Sequence, residues 1–451
     1  MLTKTRWAAL AVLLTAEAMN LLDATIVQVA GPVIHTHLPG PAADVPWFSA
    51  AYTLPFAVFL ITGGRLGDVL GRAKVFKIGV TGFVLASLVC AAANSAGLLI
   101  GARAVQGAAA ALIIPQTIGL IRALFDGDEL AKALGSIGPV MGLSAVSGPL
   151  LGGLLTQAVS WRAVFLVNVP LGLAVLLASR LLQEDRAETR PKLDVVGTVL
   201  VVAGTGLLVF PLIQPGETPL LAAGAAILVV FAFHQRRTRA PLVEPSLFAH
   251  RGFPAALAGS LLFFAVMTGL MQVVPMQLQL GLGVDVRTAG LTLLPLSAGL
   301  AVSSWFAGTW LVPRFGARVM YAGLALLLAG LLIALGGYPW PLLGAMALCG
   351  LGMGTFTVPF FSTALHRVRP HETGSAAGLL NAVQQLGGTL GVALLGGLYL
   401  SSGTATTAIG LAAGLTVAAA VAVTPMLGHS GLRPEPEAPT PGSRISSRRV
   451  P

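Results

Sequence analysis

Charge is scarce in this chain. Only 10% of its 451 residues are Asp, Glu, Lys or Arg, and there are two cysteines and seven histidines. So little charge excludes an ordinary soluble domain, in which about a quarter of residues are charged. The cysteines, Cys90 and Cys349, fall far apart in apolar runs, which excludes a disulfide framework and leaves them as packing residues. No HExxH, metal-ligand cluster or Ser/His/Asp set lies in the apolar runs, so no enzyme chemistry, cofactor or metal site is expected. The glycine-rich stretches lack a preceding strand and a following GKS or GKT, and are not phosphate cradles.

What the chain has is apolar length. It is 55% hydrophobic with a mean hydropathy of +0.85. A hydrocarbon core of roughly 30 Å takes about 20 apolar residues per helix, and lipid cannot satisfy the backbone of an open sheet. The pattern is continuous rather than alternating, so an all-α membrane protein is predicted, with fourteen spans near 7–34, 46–65, 75–94, 97–121, 130–155, 161–182, 195–213, 218–235, 253–280, 288–311, 318–336, 340–365, 374–399 and 404–427. The first run is too long and too acidic for a removable signal peptide and reads as the first helix.

With the N-terminus inside, the outward loops carry only Arg162 and Arg287, so both termini are expected to be cytoplasmic in a bacterial plasma membrane. The net charge of +10 then reports topology and contact with anionic headgroups, not nucleic acid. From 428 to 451 apolar periodicity stops and Pro, Ser and Arg take over, which reads as a disordered tail.

The chain also repeats. Glu129, Gly135, Gly148 and Gly153 match Glu372, Gly378, Gly391 and Gly396, Pro115 matches Pro359, and Leu66 and Gly71 match Leu311 and Gly316. Two pseudo-symmetric six-helix bundles are implied, 1–182 and 253–427, with two inserted helices and their linkers at 183–252. Parallel repeats of this kind are a transporter architecture with the substrate site between the halves. The halves differ chemically: Asp68 aligns with Pro313 and Arg103 with Ala347, which concentrates ion chemistry in the first.

Glu17 and Asp23 interrupt the first apolar run in TAEAMNLLDATIV. At about 1.5 Å per residue from the inner end they lie about 15 and 24 Å in, and Arg103 about 21 Å in, so Asp23 and Arg103 share a level. An unpaired ion there costs several kcal/mol, so each must pair, face water or take up a proton. Asn20 lies between the two acids, and the three fan over about a third of the helix surface, enough to face one cavity. Asp23 is then either a proton carrier tuned by Arg103 or half of a structural ion pair; Glu17 is a second candidate carrier.

Four motifs, in order, resemble the major facilitator superfamily and, within it, the fourteen-helix drug:proton antiporters. GRLGDVLGRAK (Gly64 to Lys74) resembles the superfamily loop G-x-L-a-D-r-x-G-r-k, with Val69 in place of a basic residue. LLDATIVQVAGPVI (Leu21 to Ile34) resembles L-D-x-T-I-V-n-v-A-l-P, departing at Gln28 and Gly31. ARAVQGAAAALIIPQ (Ala102 to Gln116) resembles R-x-x-Q-G. Gly135, Ser144, Gly148, Pro149, Gly152 and Gly153 resemble the antiporter pattern G-x8-G-x3-G-P-x2-G-G, with Ser144 replacing a glycine. WRAVFLVNVPLG (Trp161 to Gly172) and LGLGVDVRTAGLTLLP (Leu280 to Pro295) add further matches.

The resemblance implies a proton-coupled exporter of lipophilic or cationic small molecules, drugs or natural products, that works by alternating access and functions as a monomer. Gly64, Asp68, Gly71 and Arg72 read as a gating loop whose charges latch onto the other half in one state, or as a basic loop that only sets topology. The fifth-helix glycines read as a close-packing face between the halves, which by resemblance favours exchange. Gln106, Gln116, Gln272, Gln277, Asn381, Gln384 and Gln385, with Asn20, are candidates for the substrate cavity or for interhelical packing bonds. Phe263, Phe264, Met267, Met271 and Met276 are either an adaptable cavity wall or a helix core. Trp47 reads as an interfacial anchor. The alternative is a symporter or importer of a small polar nutrient, for which more charge is expected in the second half and no GP-x2-GG helix.

Overall fold

A computed structural model describes residues 3–185, 193–214, 217–238, 241–249, 251–366, 368–369 and 372–427; the tail expected at 428–451 lies outside the described residues. Among the described residues thirteen helices are long and apolar enough to cross a membrane, and there is no strand. They are α1 (Thr5–His37), α2 (Asp44–Leu70), α3 (Arg72–Ala92), α4 (Ala96–Leu124), α5 (Gly127–Ala158), α6 (Ala163–Leu181), α7 (Val195–Ile213), α8 (Thr218–Arg237), α9 (Gly252–Gly281), α10 (Val286–Ala334), α11 (Trp340–His366), α12 (Ser375–Ser402) and α13 (Ala405–Met426). The expected spans agree with these to within a few residues, with one exception.

That exception is α10, where two expected spans are one helical stretch of 49 residues. Straight, it would measure about 74 Å, more than twice a hydrocarbon core of roughly 30 Å. Instead the chain turns at Gly316, whose φ of +60° suits a residue without a Cβ. Before the turn Gly299 stands against Ala347 and Gly308 against Val358, so α10 and α11 run in the same direction. After it Gly323 meets Gly352 and Gly330 meets Cys349, so they run in opposite directions. One helix ends at Phe315 and the next starts at Val319, joined only by the 3-10 turn Gly316–Arg318, which is why the segment reads as one.

Glycine sets many of the helix crossings, as small residues do where lipid offers no hydrophobic drive for association. A Cβ on Gly79 of α3 would stand 3.0 Å from the Ala109 carbonyl oxygen of α4, and one on Gly269 of α9 would stand 2.8 Å from the Gly391 carbonyl oxygen of α12. The helix ends bearing Arg72, Lys74, Lys77, Arg122 and Lys132 lie at one end of the bundle, the basic end. At the opposite end, helices α1, α2 and α5 meet α9, α10 and α12. There Gln279 donates to the Val29 carbonyl at 2.9 Å, Ser297 donates to the Ala145 carbonyl at 3.3 Å, and Gly396 stands against Pro46. Helix α5 diverges towards the basic end: Gly135, Gly138 and Gly142 have nothing within 4 Å of an added Cβ, and Leu143 is 69% exposed.

Candidate functional site

Helix α1 is apolar enough to bury almost any side chain it carries, so its polar residues must find partners inside the bundle. Asp23 does so completely. It is 0% exposed, and Arg103 of α4, also 0% exposed, pairs with its Oδ2 through Nη1. Its Oδ1 accepts from Gln106 Nε2 at 2.9 Å and from Asn168 Nδ2 of α6 at 2.7 Å. Ser87 of α3 accepts from Gln106 at 2.8 Å and from Asn168 at 3.4 Å. Arg103 also donates through Nε to the Phe48 carbonyl of α2 at 2.9 Å and through Nη1 to Gln106 Oε1 at 2.7 Å. The Tyr52 ring lies under its guanidinium at 4.3 Å, a cation–π arrangement. Nη2 has no hydrogen-bond partner among the described residues.

Four helices besides α1 therefore converge on the pair: α2, α4 and α6 directly, and α3 through the bonds of Ser87 to Gln106 and Asn168. An ion pair this deep is costly unless its other donors and acceptors are satisfied, and here three neutral partners, Gln106, Asn168 and the Phe48 carbonyl, leave only Arg103 Nη2 of the pair without a partner among the described residues. The expectation that Glu17, Asn20 and Asp23 face one cavity is not what the side chains do. Asp23 turns into the interior of helices α1–α6, and Asn20 accepts a hydrogen bond from the Tyr52 hydroxyl. Glu17 is 8% exposed, and its Oε2 is buried with no hydrogen-bond partner; no cation pairs with it among the described residues.

Asn168 and Ser87 were missed in the sequence. Asn168 sits in WRAVFLVNVPLG, and an isolated Asn inside an apolar helix was the available signal; Ser87 gives none.

The other candidates scatter. Gln116 donates to the Gly63 carbonyl at 2.8 Å, sealing α2 to α4. Gln272, 0% exposed, accepts from Ser49 at 3.1 Å. Gln277 accepts from the Ala405 N–H at 3.2 Å, tying α9 to α13. Asn381, Gln384 and Gln385 are half-buried on α12. Phe263, Phe264, Met271 and Met276 are core, with Phe263 4.2 Å from Phe356, ring to ring, and Phe356 5.0 Å from Phe360. Trp47 packs on Phe210 of α7 at 5.9 Å.

At the basic end Gly71 joins α2 to α3 with φ +107°, a conformation open to glycine. Arg72 next to it reaches Asp68 at 2.8 Å and Asp185 at 2.5 Å, and Glu184 accepts from the Ala73 N–H at 3.1 Å. The charges of the expected latch are thus bonded to Asp68 of the same loop and to the segment that follows α6, not to the later helices. Arg65 donates to the Pro241 carbonyl beyond α8. Asp194 caps α7 and accepts from His234 at 2.8 Å and Gln235 at 2.7 Å. Burial works to raise the Asp194 pKa, but these hydrogen bonds and that from the Gly197 N–H outweigh it and hold the carboxyl below the usual range.

On α5, a Cβ at Gly152 would stand 2.9 Å from the Ile26 carbonyl oxygen and one at Gly153 2.9 Å from the Val286 carbonyl oxygen. Gly148 faces Thr25, a Cβ at Gly290 of α10 would stand 2.5 Å from the Pro149 carbonyl oxygen, and Ser144 bonds its own helix at 2.9 Å. This face of α5 lies between α1 and α10. Among the described residues no three His, Cys, Asp or Glu side chains stand close enough to hold a metal ion.

Residues 13–392 match the sequence profile of the Major Facilitator Superfamily. The chain is 44% identical to the "Probable actinorhodin transporter" of Streptomyces coelicolor, over 87% of this chain and 72% of that one. It is 39% identical to the "Puromycin resistance protein pur8" of Streptomyces alboniger, over 93% and 88%. It is 33% identical to the "Multidrug resistance protein Stp" of Mycobacterium tuberculosis, over 84% and 73%. In fold it is similar to the crystal structure of the human organic anion transporter MFSD10, with a TM-score of 0.65 at 15% identity, covering 93% of this chain and 99% of that one.

Proposed function

The chain belongs to the Major Facilitator Superfamily, and from that premise we propose that it is a proton-coupled antiporter exporting lipophilic or cationic small molecules by alternating access. Relatives named for actinorhodin transport, puromycin resistance and multidrug resistance support the exporter reading and point to drugs or natural products as substrates. The observation that carries proton coupling is the Asp23–Arg103 pair, fully enclosed and braced from α2, α3, α4 and α6. A proton added to Asp23 removes the counter-charge from Arg103 where water cannot replace it. The guanidinium must then shift its hold to other acceptors, so protonation and helix position change together. Glu17, with a buried carboxylate oxygen lacking a partner, is a second acid on the same helix.

With the reversal at Gly316, α10 supplies two passes and the total becomes fourteen: six, two inserted and six, with both termini cytoplasmic and the basic end facing the cytoplasm. Repeat mates support the symmetry of the halves. Gly148 packs against α1 and its mate Gly391 against α9; Gly153 packs against the start of α10 and its mate Gly396 against the start of α2. The same helix of each half thus lies between the first helix of its own half and the second helix of the other. The half-buried amides of Asn381, Gln384 and Gln385 on α12 are offered as the polar part of the substrate cavity. The outer end is closed in this conformation, and the gating loop at Gly64, Asp68, Gly71 and Arg72 is released from the second half, as expected for an inward-facing state.

The test uses reconstituted liposomes with an imposed proton gradient and puromycin as probe. Gradient-driven exchange is expected in the native chain, and Asp23→Asn is expected to lose it while substrate–substrate counterflow persists. Exchange at full rate in both Asp23→Asn and Glu17→Gln overturns the proton-carrier assignment.

A further inference from the structure

Helix α2 touches the ion pair on one side and the opposite half on the other, within two turns. On the side of the pair, the Phe48 carbonyl accepts from Arg103 and the Tyr52 ring lies under its guanidinium. On the other side, Ser49 donates to Gln272 of α9 at 3.1 Å, and Thr53 accepts from Thr389 of α12 at 2.8 Å. Residues 48 and 52 are four apart, as are 49 and 53, so each pair forms one stripe along the helix, and adjacent stripes lie about 100° apart. Pro46, one turn before Ser49, seats Gly396 of α12.

The two bonds differ from the other contacts across this end. Gln279 and Ser297 reach across only to backbone carbonyls of Val29 and Ala145. Ser49–Gln272 and Thr53–Thr389 join side chain to side chain between α2 and the later helices, and all four residues are buried and uncharged. No carboxylate or cation takes part, so the seal itself does not titrate. Any proton dependence must reach it from elsewhere, and the nearest ionisable pair is one residue away, at the Phe48 carbonyl.

We infer that Ser49 and Thr53, with Gln272 and Thr389, form an outer latch whose closure is set by Asp23 through Arg103 and the Phe48 carbonyl. This rests on Asp23 being the coupling acid. When Asp23 takes up a proton, Arg103 loses its anionic acceptor and is left with the Phe48 carbonyl and Gln106. Its grip on the α2 tip tightens, holding Ser49 and Thr53 against their partners and the outer end shut. When Asp23 gives the proton up, the carboxylate competes for the guanidinium, the tip is freer, and the latch opens more readily. Protonation closing the outer side is the sense that an exchanger of external protons for internal substrate needs. Ser49 and Thr53 are therefore positioning residues: they touch neither proton nor substrate, and act through α2.

The test is cysteine accessibility. Val392 of α12, 0% exposed, lies three residues from Thr389 in one buried cluster with Ala50 of α2, and both native cysteines are buried, so a membrane-impermeant maleimide added outside reads Val392→Cys. With the latch intact, Asp23→Asn is expected to slow labelling about fivefold or more, the lower end of ordinary coupling between sites. In Ser49→Ala/Thr53→Val the same change at Asp23 is expected to alter labelling by less than about twofold. Gln272→Leu, made from the other side, must reproduce that loss, which guards against a folding defect in the α2 variants. An Asp23→Asn effect of equal size with and without the latch, or no effect with it, overturns the inference. Proton-driven exchange measured in the same vesicles separates this failure from that of the coupling assignment: exchange lost in Asp23→Asn while accessibility ignores Asp23 sinks the latch alone, whereas exchange that persists in Asp23→Asn sinks the coupling assignment.

Discussion

Replacing one member of the Asp23–Arg103 pair, then both, gives a sharp test of how the site is held. In Arg103→Met the Asp23 carboxylate stays fully enclosed, with its cation gone. Stripping one partner from a buried pair costs about 3–5 kcal/mol. Two amide donors, Gln106 at 2.9 Å and Asn168 at 2.7 Å, remain on Asp23, so the lower end, about 3 kcal/mol, is expected. Asp23→Asn leaves Arg103 with the Phe48 carbonyl and Gln106 Oε1 only, and about the same loss is expected. Removing both charges leaves no uncompensated ion, so Asp23→Asn/Arg103→Met should cost less than the sum of the singles by about 2 kcal/mol or more. Reversible unfolding in mixed micelles, followed by tryptophan fluorescence and treated as a double-mutant cycle, reads this coupling. Two single substitutions that each cost under about 1 kcal/mol and simply add would refute the picture of a dry, mutually dependent pair.

The glycines of α5 should divide by position: Gly152→Val and Gly153→Val, aimed at the Ile26 and Val286 carbonyls, are expected to abolish assembly, whereas Gly138→Ala and Gly142→Ala, with open space around them, are expected to express like the parent in a fluorescence size-exclusion assay. Gly71→Ala forces a Cβ into a φ of +107° and against the Glu184 carboxylate, and is expected to cost about 1–3 kcal/mol, read as a lowered melting temperature. Asp194 is held below the usual carboxylate range in the folded chain, so its contribution is present above the unfolded value of about 3.9 and is lost as pH falls through the lower folded value. Asp194→Asn is accordingly expected to lower the melting temperature between pH 5 and 7, by a margin that shrinks on acidification towards pH 3; a margin that is constant with pH removes the ionised carboxylate from the account.

Much of the fold was legible because lipid leaves few choices. A continuous apolar run of about 20 residues must become a helix, and its ends follow from where charge resumes. The α10 reversal was expected as a break between spans, and only its helical continuity was not, since a single positive-φ glycine bends the chain without a polar loop. The site was legible in part for a related reason. Charge inside a span must pair, so Asp23 and Arg103 at one level stood out before any contact was known. Partner choice was hidden: side-chain direction depends on packing, which sent Asp23 into helices α1–α6 and Gln116 to the Gly63 carbonyl. Neutral partners such as Ser87 and Asn168 carry too little signal alone to be chosen from the many small polar residues in these helices.

The asymmetry between the halves then follows from what each packs at equivalent places. Arg103 fills the first bundle with a cation that needs acceptors from α1, α2 and α4. Its repeat mate Ala347 lies against Gly299, and the second bundle fills its interior with Phe263, Phe356 and Phe360 stacked 4.2 and 5.0 Å apart. Aromatic packing of this kind has one well-packed arrangement, whereas an ion pair with alternative neutral acceptors has two, between which a proton selects on the proposed coupling. A rocking transporter needs a bistable element in only one half, provided the other is stiff enough to be moved as a body. The neutral bonds from α2 to Gln272 and Thr389 are where such a switch has to meet that rigid body, because they join the helix that carries the Phe48 carbonyl to the helices that flank the aromatic core.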